Sequence, residues 1–166
     1  TSNYSRDVLV NALNQAVEWR LLAANPAVAV KKSRVEKKEP PEWTIEQAEA
    51  FIEVAKSHRL YPLFYLAITS GLRIGELLAL TWDDLRHDRL YVRRNLSKVN
   101  GKLSLSSPKT FKGRRVLTLA KDTLDVLASH KANQDRERAV LGDSWCHPAH
   151  MFTTTIGTFL DYRNVL

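Results

Sequence analysis

Residues 69–85 read Thr69-Ser70-Gly71-Leu72-Arg73-Ile74-Gly75-Glu76-Leu77-Leu78-Ala79-Leu80-Thr81-Trp82-Asp83-Asp84-Leu85. A glycine turn hands over to an apolar stretch at helical spacing, predicting a helix from Ile74 to Leu80 with Arg73 at its start. That placement aims a guanidinium and backbone N–H groups at one spot. It suits a phosphate, because the guanidinium fork binds two oxygens at once. Glu76, three residues on, shares a helix face with Arg73; it either orients the arginine or forms an ordinary intrahelical ion pair. The plain structural alternative is a helix start whose arginine only caps or pairs.

Upstream, Pro62 suits a first helical turn and Leu63 to Ile68 is almost wholly apolar, predicting a buried helix that ends at Gly71. Thr44 and Gln47 have capping-box spacing, so a helix runs through Ala48, Phe51, Ile52 and Ala55. Val8, Leu9, Ala12, Leu13, Ala16 and Val17 recur at helical spacing, predicting a first helix with one buried face, stopped by Asn25-Pro26. Downstream, Leu90–Asn95, Lys102–Ser106 and Arg115–Leu119 alternate as strands, and Asn100-Gly101 is a hairpin turn signal. A last helix is predicted from Lys121 to Leu141, ending at Gly142. The fold class is therefore α+β, mainly α-helical, with a small antiparallel sheet of three strands between residues 89 and 119.

The 166 residues carry a net charge of +7, favouring a polyanionic partner, because each phosphate neutralised by Lys or Arg releases condensed counterions. The charge is clustered: Arg93, Arg94, Lys98, Lys102, Lys109, Lys112, Arg114 and Arg115 fall in a span with no Asp or Glu. A second run, Lys31, Lys32, Arg34, Lys37 and Lys38, lies before Pro40-Pro41 and reads as a basic linker. Each run alone is compatible with an ordinary solvated surface; two in one chain point to nucleic acid. Cys146 is the single cysteine, so no internal disulfide forms, and no cysteine spacing suggests zinc. No apolar run is long enough to span a membrane and no signal peptide is visible, so a cytoplasmic location is expected.

The block Gly71-Leu72-Arg73-Ile74-Gly75-Glu76-Leu77-Leu78-Ala79-Leu80 resembles the first conserved box of tyrosine recombinases, the family of phage integrases and Xer-type recombinases. Arg73 matches that box's catalytic arginine. A second match follows: Ser107-Pro108-Lys109-Thr110, then Lys112-Gly113-Arg114-Arg115-Val116-Leu117, resembles the hairpin carrying the family's catalytic lysine. Lys109 is the counterpart, with Lys112 a close rival. Weaker agreement reaches both ends. Asn25-Pro26 resembles the close of the family's core-binding domain, and Met151-Phe152-Thr153 through Arg163-Asn164-Val165 the approach to its second box. The resemblance implies residues 1–30 as the end of a helical core-binding domain, 31–41 as a basic linker and 42–166 as the first part of a catalytic domain.

The same resemblance implies a parent enzyme that attacks a phosphodiester of double-stranded DNA with a tyrosine, forms a 3′-phosphotyrosyl link and reverses the step on a partner strand. It uses neither metal nor ATP and works as a homo-tetramer, without a small-molecule substrate or a membrane. Arg73 would stabilise phosphate charge and Lys109 protonate the departing oxygen, with Glu76 in support. Lys31, Lys32, Arg34, Arg93, Arg94, Lys112, Arg114 and Arg115 are the expected DNA contacts. The family's His-x-x-Arg pair and nucleophilic tyrosine have no counterpart here. His147-Pro148-Ala149-His150 lacks the arginine, and Tyr162 sits in the wrong context and reads as structural or surface. The chain alone is expected to bind DNA without cutting it. The rival reading is a non-catalytic DNA-binding protein descended from a recombinase. An RNA-binding or protein-interaction module is disfavoured because no aromatic stacking motif is present.

Overall fold

A computed structural model of the protein describes residues 2–33, 42–106 and 114–165. The chain divides into two compact units, Thr1–Glu42 and Trp43–Leu166. The first holds helix α1 (Ser2–Glu18) and a short 3-10 turn, Pro26–Ala29. Asn25 fastens the turn to the helix: its side chain accepts from the Ala27 N–H (2.9 Å) and donates to the Val10 carbonyl (3.0 Å). Among the described residues the expected face of α1 is covered only in part: Leu13, Ala16 and Val17 are half-buried. Val8 and Leu9 are each 51% exposed, and Ala27 is the one fully buried residue among those described there. One helix and one turn offer too little surface to cover an apolar stripe.

The second unit opens with α2 (Ile45–Ala55), whose capping box forms as the sequence predicts. The Thr44 N–H donates to Gln47 Oε1 (2.9 Å) and the Gln47 N–H to Thr44 Oγ1 (3.3 Å). Helix α3 (Tyr61–Ser70) buries Leu63 and Leu66 and closes at Gly71, whose φ of 61° is left-handed. Arg73 then leads into α4 (Ile74–Leu78), two residues shorter than predicted. Tertiary pairing overrides helix propensity there: the Leu80 carbonyl accepts from the Met151 N–H (3.0 Å) and Thr81 bridges to His150, which draws the chain out of the helix.

Strands β1 (Leu85–Arg86), β2 (Arg89–Val92) and β5 (Arg115–Thr118) form a three-stranded antiparallel sheet in the order β1-β2-β5. Strands β3 (Asn95–Val99) and β4 (Lys102–Ser106) form a separate two-stranded ribbon. The sheet thus differs from expectation: the short Leu85–Arg86 strand completes it, and Lys102–Ser106 belongs to the ribbon. The predicted strand Leu90–Asn95 is split at Arg93-Arg94, where the Arg94 guanidinium bonds Thr81 and Asp84 and bends the chain. The ribbon closes on Asn100-Gly101 with φ of 50° and 80°, the two positive values a type I′ hairpin turn needs. Helix α5 (Lys121–Leu141) ends at Gly142 as read from the sequence.

Leu66, Leu77, Leu78, Leu90, Val92, Leu127, Met151 and Phe152 form one core shared by the helices, the sheet and the irregular tail. Gln134 on α5 anchors that tail. Its amide donates to the carbonyls of His150 (3.1 Å) and Met151 (3.0 Å) and to Thr153 Oγ1 (3.2 Å), while its oxygen accepts from the Trp82 indole (2.8 Å). His130 adds a ring contact to the Met151 carbonyl (2.7 Å).

Candidate active site

Arg73 stands where α3 has ended and α4 begins, with its side chain 81% exposed. Beneath it Glu76 is buried, at 5% exposure. A buried carboxylate needs compensating donors, and Glu76 has them. The Arg73 backbone N–H donates to Oε2 (3.0 Å), and the Arg115 guanidinium donates in fork geometry to Oε1 (3.1 Å) and Oε2 (2.9 Å). The Arg73 guanidinium itself reaches Glu76 only at 3.4 Å. The Arg115 guanidinium holds the Glu76 carboxyl below the ordinary carboxylate range, against the opposing pull of burial. Glu76 thus fixes the backbone of Arg73 and leaves most of its guanidinium open to solvent.

Gly75 lets this helix approach the ribbon. A Cβ there would lie 2.3 Å from Asn95 Oδ1 and 2.8 Å from the Leu96 carbonyl oxygen, so any side chain would force α4 away from β3. Arg73, Leu78, Leu96, Leu103, Leu160 and Tyr162 line a mainly apolar cavity of about 340 Å³ at this junction. Tyr162 lies at its rim, 38% exposed, its hydroxyl accepting from Arg163 Nε at 3.3 Å.

The structure brings Arg73, Glu76 and Arg115 together. It sends Arg94 elsewhere: Arg94 Nη2 donates to Thr81 Oγ1 (2.6 Å) and to buried Asp84, which also accepts from the Thr81 N–H (3.0 Å). Arg93 is exposed, with its guanidinium 4.7 Å from the Tyr91 ring centre, and Arg114 is exposed at the start of β5. Lys31 and Lys32 lie exposed in the first unit, Lys32 paired with Asp7 at 2.8 Å. Lys109, Lys112 and Arg34 lie outside the described residues. The His147 ring stacks on Phe159 at 4.0 Å, and His150 is buried with neither ring nitrogen hydrogen-bonded among the described residues. Burial pushes the His150 imidazole to a lower pKa, as do the nearby His147 and Arg94. The Thr81–Asp84–Arg94 cluster escaped the sequence reading, although Thr81 and Asp84 share capping-box spacing. Among the described residues no cluster of three or more His, Cys, Asp or Glu is arranged to hold a metal ion.

No family model matches the chain. Individual relatives do. It is 30% identical over 174 residues to a protein named tyrosine recombinase XerC-like from Caldanaerobacter subterraneus subsp. tengcongensis, a match spanning 92% of this chain and 44% of the relative. It is 32% identical over 165 residues to the integrase of Mycobacterium phage L5, covering 95% of this chain and 41% of that protein. In structure, 95% of the chain superposes on 52% of the Tn1549 transposon integrase in complex with transposon right end DNA, with a TM-score of 0.72 and 20% identity. A lambda integrase dimer bound to a COC' core site matches over 98% of this chain and 41% of its own, with a TM-score of 0.59. The fold matches that of tyrosine-recombinase catalytic domains over part of their length. The chain is a homologue of the tyrosine recombinases and integrases, and it spans less than half the length of these two curated relatives.

Proposed function

We propose that this chain supplies the first part of the active site of a site-specific recombinase that breaks and rejoins double-stranded DNA through a 3′-phosphotyrosyl intermediate. The observation that carries it is the Arg73–Glu76–Arg115 arrangement: an exposed guanidinium whose backbone is fixed by a buried, doubly clamped carboxylate. Arg73 takes two oxygens of the scissile phosphate and stabilises the charge that builds on it. Lys109 protonates the departing 5′ oxygen. It lies six residues before Arg115 in the sequence. The first unit is the end of a helical core-binding domain, and residues 31–41 are the basic linker that joins it to the catalytic part in the sequence. The parent works as a homo-tetramer on DNA.

The 166-residue chain alone binds duplex and makes no covalent adduct, because it offers no nucleophile in the family's context. Binding is tested by titrating a labelled duplex at several salt concentrations. Log affinity should fall steeply with log salt, and Arg73→Gln should shallow the slope by about 0.9, one phosphate contact. Salt-independent binding, or a duplex–protein adduct that survives denaturing electrophoresis, would overturn the reading.

A further inference from the structure

The three-stranded sheet has two faces, and the site described above uses one. Leu90 and Val92 of β2, fully buried, point into the core, and Arg115 points the same way, to Glu76. The other face carries Arg86, Arg89 and Tyr91. The register sets Arg86 directly opposite Arg89 and Tyr91 opposite Val116, and alternation puts Arg89 and Tyr91 on one side. The guanidinium of Arg86 lies 5.7 Å and that of Arg93 4.7 Å from the Tyr91 ring centre, so one aromatic ring gathers two cations.

Two like charges directly opposite across strands destabilise a sheet. No carboxylate pairs with them: among the described residues Arg86, Arg89 and Arg93 form no ion pair. Asp88, in the turn beside them, pairs with none of the three. Arg86 and Arg93 at the Tyr91 ring, with Arg89 opposite Arg86, put three exposed arginines on one strand face and form a receptor for an anion with repeated charges.

We propose that the outer face of this sheet, built from Arg86, Arg89, Tyr91 and Arg93, is a second DNA-backbone contact, separate from the face that presents Arg73. Charge complementarity selects the occupant. A duplex carries one phosphate per 3.4 Å of each strand, whereas a second copy of this chain carries a net charge of +7 and is repelled. This rests on the reading that the chain binds duplex DNA, and it adds a second surface, so a segment of the same or another duplex is held behind the sheet.

The test measures duplex affinity against salt for the chain, for Arg86→Gln/Arg89→Gln, and for the charge-matched control Arg136→Gln/Arg138→Gln on exposed positions of α5. The expected result is a slope shallower by about 1.8 for the sheet variant, two phosphate contacts, with the control unchanged. An unchanged slope in the sheet variant, or an equal loss in the control, overturns the second surface. Loss of self-association in the sheet variant with an unchanged slope also overturns it, and assigns the face to a second copy. A wild-type chain without salt-dependent duplex binding defeats the functional reading itself, an outcome distinguishable because it appears before any variant is compared.

Discussion

Breaking the Glu76–Arg115 clamp is the sharpest test of how the site is built. The side chain of Glu76 is 7% exposed and that of Arg115 31%, so the two ends of the pair differ in what they lose. Arg115→Gln strips a buried carboxylate of two charged donors and leaves it the Arg73 N–H (3.0 Å) and the long Arg73 contact (3.4 Å). That should cost about 2–3 kcal/mol, towards the low end for a broken buried pair because Arg115 is partly solvated. Glu76→Gln leaves an arginine that turns to water, and should cost about 1–2 kcal/mol. The double variant should fall short of the sum by about 1–2 kcal/mol. Urea unfolding followed by the fluorescence of Trp82 and Trp145 in the same unit measures all four proteins. The clamp also carries a pH signature. The Glu76 carboxyl is held below its ordinary value of 4.5, so its contribution is present above that value and fades as pH falls through the lower folded value. The gap between the chain and Glu76→Gln should therefore close in acid. Single costs under about 0.5 kcal/mol, or costs that simply add, would refute the clamp.

Three further outcomes are expected. Gly75→Ala should destabilise by about 1–3 kcal/mol, and adding Asn95→Ala should recover only part, because the Leu96 carbonyl oxygen still stands 2.8 Å from the new Cβ; urea unfolding of both decides it. His130 and His150 are held below the ordinary histidine value of 6.5, each mainly by burial. The unfolded chain therefore binds more protons and stability should fall as pH drops below about 6.5; a chain as stable at pH 5 as at pH 7 would contradict this. Gln134→Leu should leave the Trp82 indole N–H and the His150 carbonyl without their Gln134 partner, and the Met151 carbonyl with its His130 contact alone, and cost about 2–4 kcal/mol in thermal or urea unfolding.

Local chemistry was readable along the chain wherever it was decisive. Thr44 and Gln47 close their capping box, Gly71 and Gly142 end their helices, and Asn100-Gly101 turns the ribbon, because each rests on contacts within a few residues. Arg73 was likewise legible, since a glycine turn followed by an apolar helix fixes its place. What escaped depends on partners far along the chain. Alternation marked Arg115–Leu119 as a strand, but which face meets the core depends on register with β2, and that register turns Arg115 to Glu76 while Arg114 stays exposed. Arg93 and Arg94 looked alike in sequence. Thr81 and Asp84 draw Arg94 inward and split the strand. The short β1 carries too few residues to alternate, and the apolar stripe of α1 tells of a partner surface without saying where it is.

The split at Arg94 has a consequence for how this architecture tolerates change. The ribbon β3–β4 is secured at its base, where Asn95 and Leu96 crowd Gly75, and shares no ladder with the three-stranded sheet. Its tip at Asn100-Gly101 is exposed. Residues added at that tip lengthen an arm without altering the register that seats Arg115 on Glu76. The ribbon is therefore the part of the molecule where length can drift, or an epitope or fluorophore be grafted, while Arg115 stays on Glu76.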